Sequence, residues 1–109
     1  MRRMGMVIGI KPERIAEYKR THTAVWPEVL AKISDCNIRN YTIFLREPEN
    51  LLFAYWEYHG ADWAADAKKM AADKRTRDWW AIHDPMQEPL ASRKAGEWWA
   101  TTEEVFHRD

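Results

Sequence analysis

A chain of 109 residues supports one hydrophobic core and is too short for two ordinary domains, so residues 1–109 are read as a single unit. Seventeen basic and seventeen acidic side chains cancel, which removes the positive footprint that tracks a nucleic-acid backbone. The apolar run 4–10 is too short for a signal core or a membrane span, and the single cysteine, Cys36, has no partner for a disulfide or a metal knuckle. A cytoplasmic protein with neither nucleic acid nor membrane as partner is expected.

Residues 6–10 read as a first strand, and Lys11-Pro12-Glu13 as the turn that launches a helix near Glu13. Ile15, Tyr18 and His22 share one face of that helix. Pro27 lacks an N–H and clashes with the preceding turn, so the helix breaks between Thr23 and Trp26 and restarts over 27–34. Asp35-Cys36-Asn37 ends it. Residues 38–45 alternate like a strand, Glu47-Pro48-Glu49-Asn50 reads as a hairpin turn, and 51–58 reads as the antiparallel partner. Ala-rich 62–72 and then 76–83 are helical, 85–96 is a long loop, and 103–107 is expected as the closing strand. The order β, α, β, β, α, β predicts an α+β fold with an antiparallel sheet in the split βαβ, or ferredoxin-like, arrangement.

In that arrangement helices cover only one sheet face. In 51–58, however, Leu51, Phe53 and Tyr55 would share one face and Leu52, Ala54, Trp56 and Tyr58 the other. Both are apolar. A second copy of the chain is the economical cover for the second face, so a homodimer is expected.

Tyr18, His22 and Trp26 are spaced four apart, which sets a phenol beside an imidazole just before the Pro27 break. Histidine gives and takes protons near neutral pH, and a phenol donates a hydrogen bond, so the pair suits proton transfer. By spacing alone, such a stripe is more often a packed helix face with satisfied polar tips. Seven tryptophans are more than this core needs, and Asp78-Trp79-Trp80 and Glu97-Trp98-Trp99 mix carboxylates with aromatic rings as carbohydrate sites do. His22, His59, His83 and His107 fit no metal-ligand spacing, and no Gly-rich phosphate loop or nucleophile elbow occurs, so no metal is expected.

The run Tyr18-Lys-Arg-Thr-His22-Thr-Ala-Val-Trp26-Pro27-Glu28 resembles the pattern of the L-rhamnose mutarotase family. The likeness continues through Asn40-Tyr41, 50–54, Trp79-Trp80 and Glu104-Val105-Phe106. It implies ferredoxin-like subunits paired sheet to sheet as a dimeric α/β barrel, a monosaccharide substrate and no cofactor. Residue by residue, it implies His22 as general acid, with Tyr18 beside it, and Tyr18, Tyr41, Trp79 and Trp80 as sugar contacts. The stretch Asp84-Pro85-Met86-Gln87-Glu88-Pro89 departs from the Asn-Pro-Asp-Asn-Ser-Pro-like run of rhamnose-processing members, and Trp98-Trp99 has no counterpart there. On that ground the expected reaction is anomer interconversion of a 6-deoxy-L-hexose, with L-fucose slightly ahead of L-rhamnose. A non-catalytic dimeric sugar-binding protein and a cofactor-free monooxygenase on the same scaffold are the alternatives, because fold alone does not separate them.

Overall fold

The computed structural model describes residues 1–109. Along the chain come β1 (Arg2–Ile10), a 3-10 turn (Pro12–Arg14), α1 (Ile15–Thr21), α2 (Pro27–Asp35), β2 (Ile38–Arg46) and β3 (Leu51–Tyr58). Then follow α3 (Trp63–Ala72), α4 (Lys74–His83), a second 3-10 turn (Asp84–Met86), β4 (Gln87–Glu88) and β5 (Ala100–Thr101). The strand order is β2-β3-β1-β4, with β5 also on β1, and every pairing is antiparallel. This is the expected α+β architecture.

β1 starts four residues earlier than the expected strand 6–10, because Arg2 already pairs with Tyr58 and the ladder runs unbroken to Gly9 opposite Leu51. Alternation then sorts its side chains. Met6, Ile8 and Ile10 point to the helix-covered face together with Leu52, Ala54 and Tyr58 of β3, and all six are buried. Ile8, Ile10, Leu52, Ile15, Tyr18 and Met86 form the core cluster, with Ile43, Leu45 and Trp99 packed against it. Val7 and Phe53 pair on the opposite face, where Phe53 also opposes Phe44 of β2.

The closing strand differs from expectation. Residues 103–107 form no strand, and Val105 and Phe106 are exposed. The free edge of β1 is divided instead between β4, opposite Gly9 and Ile10, and β5, opposite Met6 and Val7. The last hydrogen bonds to that edge come from Thr102, whose backbone N–H and hydroxyl both donate to the Gly5 carbonyl, at 3.0 and 2.7 Å, and beyond it Arg3 of β1 only pairs its charge with Glu104 and Asp109. Beyond Thr102 the tail's apolar alternation meets no neighbouring strand, and alternation without a pairing edge does not make a strand.

The helix ends follow local chemistry. α1 stops at Thr21, whose hydroxyl oxygen lies 3.0 Å from the Tyr18 carbonyl, while the Thr23 hydroxyl donates to the Arg20 carbonyl. Pro27 then occupies the first turn of α2, where its missing N–H costs nothing. Asp62 caps α3 by accepting from the Ala65 N–H, and Asp73 caps α4 by accepting from the Thr76 N–H and hydroxyl. The Asp73 cap explains why α4 begins at Lys74 rather than Thr76.

Candidate active site

Tyr18 lies on the buried face of α1, and His22 follows one turn later as the first residue beyond the helix. Their rings stack, with centroids 4.2 Å apart and planes inclined by 24°. α4 packs against this end of α1. It brings Trp79 to 5.5 Å and His83 to 4.9 Å from the His22 ring, each edge-on. Trp26, separated from His22 by the break, packs instead on Trp79 at 5.1 Å, and the Arg75 guanidinium lies 3.9 Å over the Trp26 ring.

Hydrogen bonds define the state of the imidazole. His22 Nδ1 lies 2.7 Å from the Tyr18 carbonyl oxygen, an acceptor only, so Nδ1 carries the proton and donates. Nε2 keeps its lone pair and has no protein partner. Burial holds the His22 pKa below the ordinary histidine value, opposed by this backbone hydrogen bond and reinforced by charge repulsion from His83. The ring is therefore neutral near pH 7.

Burial also pushes the Tyr18 pKa up to about 12, with a hydrogen bond from the Gln87 side chain pulling the other way. The Gln87 amide is oriented from its far side. Trp98 Nε1–H donates to Gln87 Oε1 at 2.8 Å, which fixes the oxygen on the Trp98 side. The amide N–H₂ is left on the other side, and the phenol of Tyr18, raised by burial, keeps its hydrogen.

These groups border a cleft of about 240 Å³ between α1 and the inner sheet face, lined by Ile10, Ile15, Tyr18, Lys19, His22, Thr23, Ile43, Leu45 and Leu52. Its floor is apolar, and its imidazole and phenol come from α1. A wider depression of about 540 Å³ in the 91–98 loop is built from one segment and holds neither an imidazole nor a phenol. The chemistry points to the smaller cleft.

Among the residues expected from sequence, Tyr18, His22 and Trp79 form one cluster. Tyr41 stands beside it on β2. Tyr41 is 38% exposed overall, but its hydroxyl end is enclosed, and burial followed by the nearby Tyr18 raises its pKa above the phenol range. Trp80 falls outside the aromatic cluster and is 39% exposed, because it follows Trp79 directly and so points about 100° away around α4.

Comparison with known proteins bears on this arrangement. The family model for L-rhamnose mutarotase matches residues 3–108. The chain belongs to the L-rhamnose mutarotase family. It is 31% identical over 110 aligned positions to a protein named L-rhamnose mutarotase from Oceanobacillus iheyensis, with all of both chains covered. A namesake from Mannheimia succiniciproducens is 37% identical over 82 residues, covering 75% of this chain and 76% of that protein. In fold, the chain superposes with a TM-score of 0.79 on the crystal structure of an L-rhamnose mutarotase from Formosa agariphila, covering 100% of both chains at 22% identity.

In this family member, three residues join the cluster that sequence reasoning did not single out for it: Thr21, His83 and Gln87. His83 had a signal, since it stands four residues after Trp79 and therefore on the same face of α4. Thr21 was visible only as a polar residue beside the helix end. Gln87 had none, because its place depends on a two-residue strand that exists only through pairing with β1.

Proposed function

We propose that this chain is a mutarotase that interconverts the α and β anomers of a 6-deoxy-L-hexose, with L-rhamnose as its leading substrate. The observation that carries the reading is the Tyr18–His22 pair beside an apolar cleft, with one imidazole nitrogen committed to a carbonyl and the other left with a lone pair. Ring opening removes a proton from the anomeric hydroxyl and delivers one to the ring oxygen as the bond from C1 to that oxygen breaks. Neutral His22 accepts the first proton at Nε2. The Tyr18 hydroxyl, kept protonated by burial, donates towards the ring oxygen, where an alkoxide stronger in base than a phenolate develops. After the aldehyde rotates, closure runs the transfers backwards and His22 acts as the acid, the role that the family resemblance implies.

Tyr41 and Trp79 complete the proposed sugar contacts, and the exposed Trp80 is the weakest member of the expected set. The indole N–H of Trp56, buried without an acceptor 5.0 Å ring to ring from Tyr41, is a further donor for a sugar oxygen. An apolar floor favours the C6 methyl of a deoxy sugar over a hydroxymethyl group, whose hydroxyl would lose its water. The L-fucose preference drawn from sequence has no support among the relatives, which bear the name of L-rhamnose.

The experiment is selective inversion of one anomer's NMR signal, with transfer to the other followed in L-rhamnose, L-fucose and D-glucose. Faster exchange of L-rhamnose than of D-glucose is expected. Equal rates for all three would remove the substrate reading, and binding without exchange would make the protein a sugar carrier.

The subunit is proposed to work as a homodimer. Phe44 is 61% and Phe53 42% exposed on the outer sheet face, which the helices leave bare. A particle of twice the chain mass in light scattering is expected, and a monomer at micromolar concentration would refute it.

A further inference from the structure

A second buried histidine stands beside His22 with its own hydrogen-bond system. His83 is 4% exposed, with its ring 4.3 Å from Trp79 and edge-on to Tyr18 at 5.6 Å. Its Nδ1 lies 2.8 Å from the Trp79 carbonyl, so that nitrogen donates. In neutral His83 the other nitrogen, Nε2, is then an acceptor. The Thr21 hydroxyl lies 2.7 Å from it and donates to it.

Thr21 is also 3.3 Å from His22 Nδ1 and 3.0 Å from the Tyr18 carbonyl. It has one hydrogen. A free hydrogen would have two takers, the Tyr18 carbonyl and His22 Nδ1, and in the fraction pointing at Nδ1 that nitrogen would be the acceptor and the imidazole proton would sit on Nε2. Committed to His83, the hydroxyl offers His22 only lone pairs. Both groups facing His22 Nδ1, the Tyr18 carbonyl and the Thr21 oxygen, are then acceptors, and only the form protonated at Nδ1 satisfies them.

We propose that His83 is a positioning residue that acts through Thr21 to hold His22 in the tautomer protonated at Nδ1, and so keeps Nε2 available as the proton acceptor. The inference rests on the reading of His22 as the proton-handling group, but its structural half stands apart from it. Burial, opposed by the hydrogen bond to the Trp79 carbonyl and by the Glu17 charge, keeps His83 itself below the ordinary histidine pKa, so it is neutral when the device is needed. The arrangement resembles the general way in which a functional imidazole is oriented by the partner of its other nitrogen.

The test is ¹⁵N NMR of His22 in the sugar-free protein, comparing wild type with His83→Met, Thr21→Val and His83→Gln. Wild type is expected to show Nδ1 protonated and Nε2 bare. His83→Met keeps the volume but frees the Thr21 hydrogen, and Thr21→Val removes that hydroxyl while keeping its shape. His83→Met is expected to move His22 partly to the form protonated at Nε2 and to slow anomer exchange about tenfold, the size typical of groups that orient a functional histidine. His83→Gln restores an acceptor for Thr21 and should restore both readouts. Thr21→Val, which offers His22 no competing hydrogen, should leave the tautomer as in wild type and thereby separate hydrogen direction from packing. Wild-type His22 protonated at Nε2, or an unchanged tautomer in folded His83→Met, would overturn the proposal. Because the spectra need no sugar, they stand even if the protein exchanges no anomers, an outcome that would sink the proposed function alone.

Discussion

The two faces of the sheet are drawn from the same strands yet meet different fates. On the inner face, Met6, Ile8, Ile10, Leu52, Ala54 and Tyr58 are buried under helices, and the cleft opens at their edge. On the outer face, Phe44 and Phe53 pair across β2 and β3 and remain exposed. Hydrophobicity alone does not distinguish them. What does is the crossover from β1 through α1 and α2 to β2, which places both helices on one side of the sheet and leaves the other uncovered. The proposed chemistry sits on the covered face because a proton-transfer site needs walls from two layers, and only there does the subunit supply both.

Adjacent residues of β3 give the sharpest way to break this comparison. Leu52 is 2% exposed and fills the core. Leu52→Ala should cost about 2–5 kcal/mol of unfolding free energy, since it removes buried methyl groups and leaves a cavity. Phe53→Ala, one position along, should cost the dilute subunit less than about 1 kcal/mol and weaken self-association instead. Denaturant melts combined with light scattering read both effects. Equal stability losses at the two positions would mean that the outer face is packed within the subunit.

A second contrast separates activity from assembly. His22→Ala should lower the catalysed exchange rate roughly 10²-fold or more, the usual size of a general acid–base contribution, while the particle mass stays that of wild type. Phe44→Arg should do the opposite at first, splitting the particle before it touches the chemistry. If His22→Ala kept its turnover and only melted earlier, the Tyr18–His22 stack would be a packed helix face.

Legibility in the sequence followed the range of the forces involved. The helix break at Pro27 and the hairpin joining β2 and β3 depend on neighbouring residues, and both were readable. So was the Tyr18–His22 contact, because a spacing of four is set by the helix itself. The closing edge was not. Residues 103–107 have the composition of a strand, whereas Gln87–Glu88 and Ala100–Thr101 are strands only because β1 offers them an edge. His83 and Gln87 share this limit, since packing of α4 on α1 and pairing of β4 with β1 bring distant segments to Tyr18 and His22. The family motif pointed to the Tyr18–His22 pair, and only the folded chain shows which groups lie against it.

The smallest expected effect, and the one that tests the two faces in a single sample, is acidification. On the outer face, hydrogen bonds from His59, Asn40 and Tyr55 hold the Glu57 carboxyl down at about 2, so Glu57 stays ionised through this window and the proposed partner should be kept as pH falls. The inner face holds His22 and His83, both shifted below the ordinary histidine value of 6.5, chiefly by burial. The unfolded chain takes up protons near 6.5 while the folded chain resists, so it is the unfolded state that binds more protons in this window. Stability contributed by these two groups is therefore complete above pH 6.5 and declines as pH drops towards their depressed folded values. Activity should follow the same direction, because a protonated His22 has no lone pair at Nε2. With the uncatalysed exchange subtracted, the acid limb of the rate should lie below pH 6.5, and particle mass should stay constant across it. A limb at or above 6.5 would mean that the His22 imidazole is more open to water than its place between Tyr18, Trp79 and His83 allows.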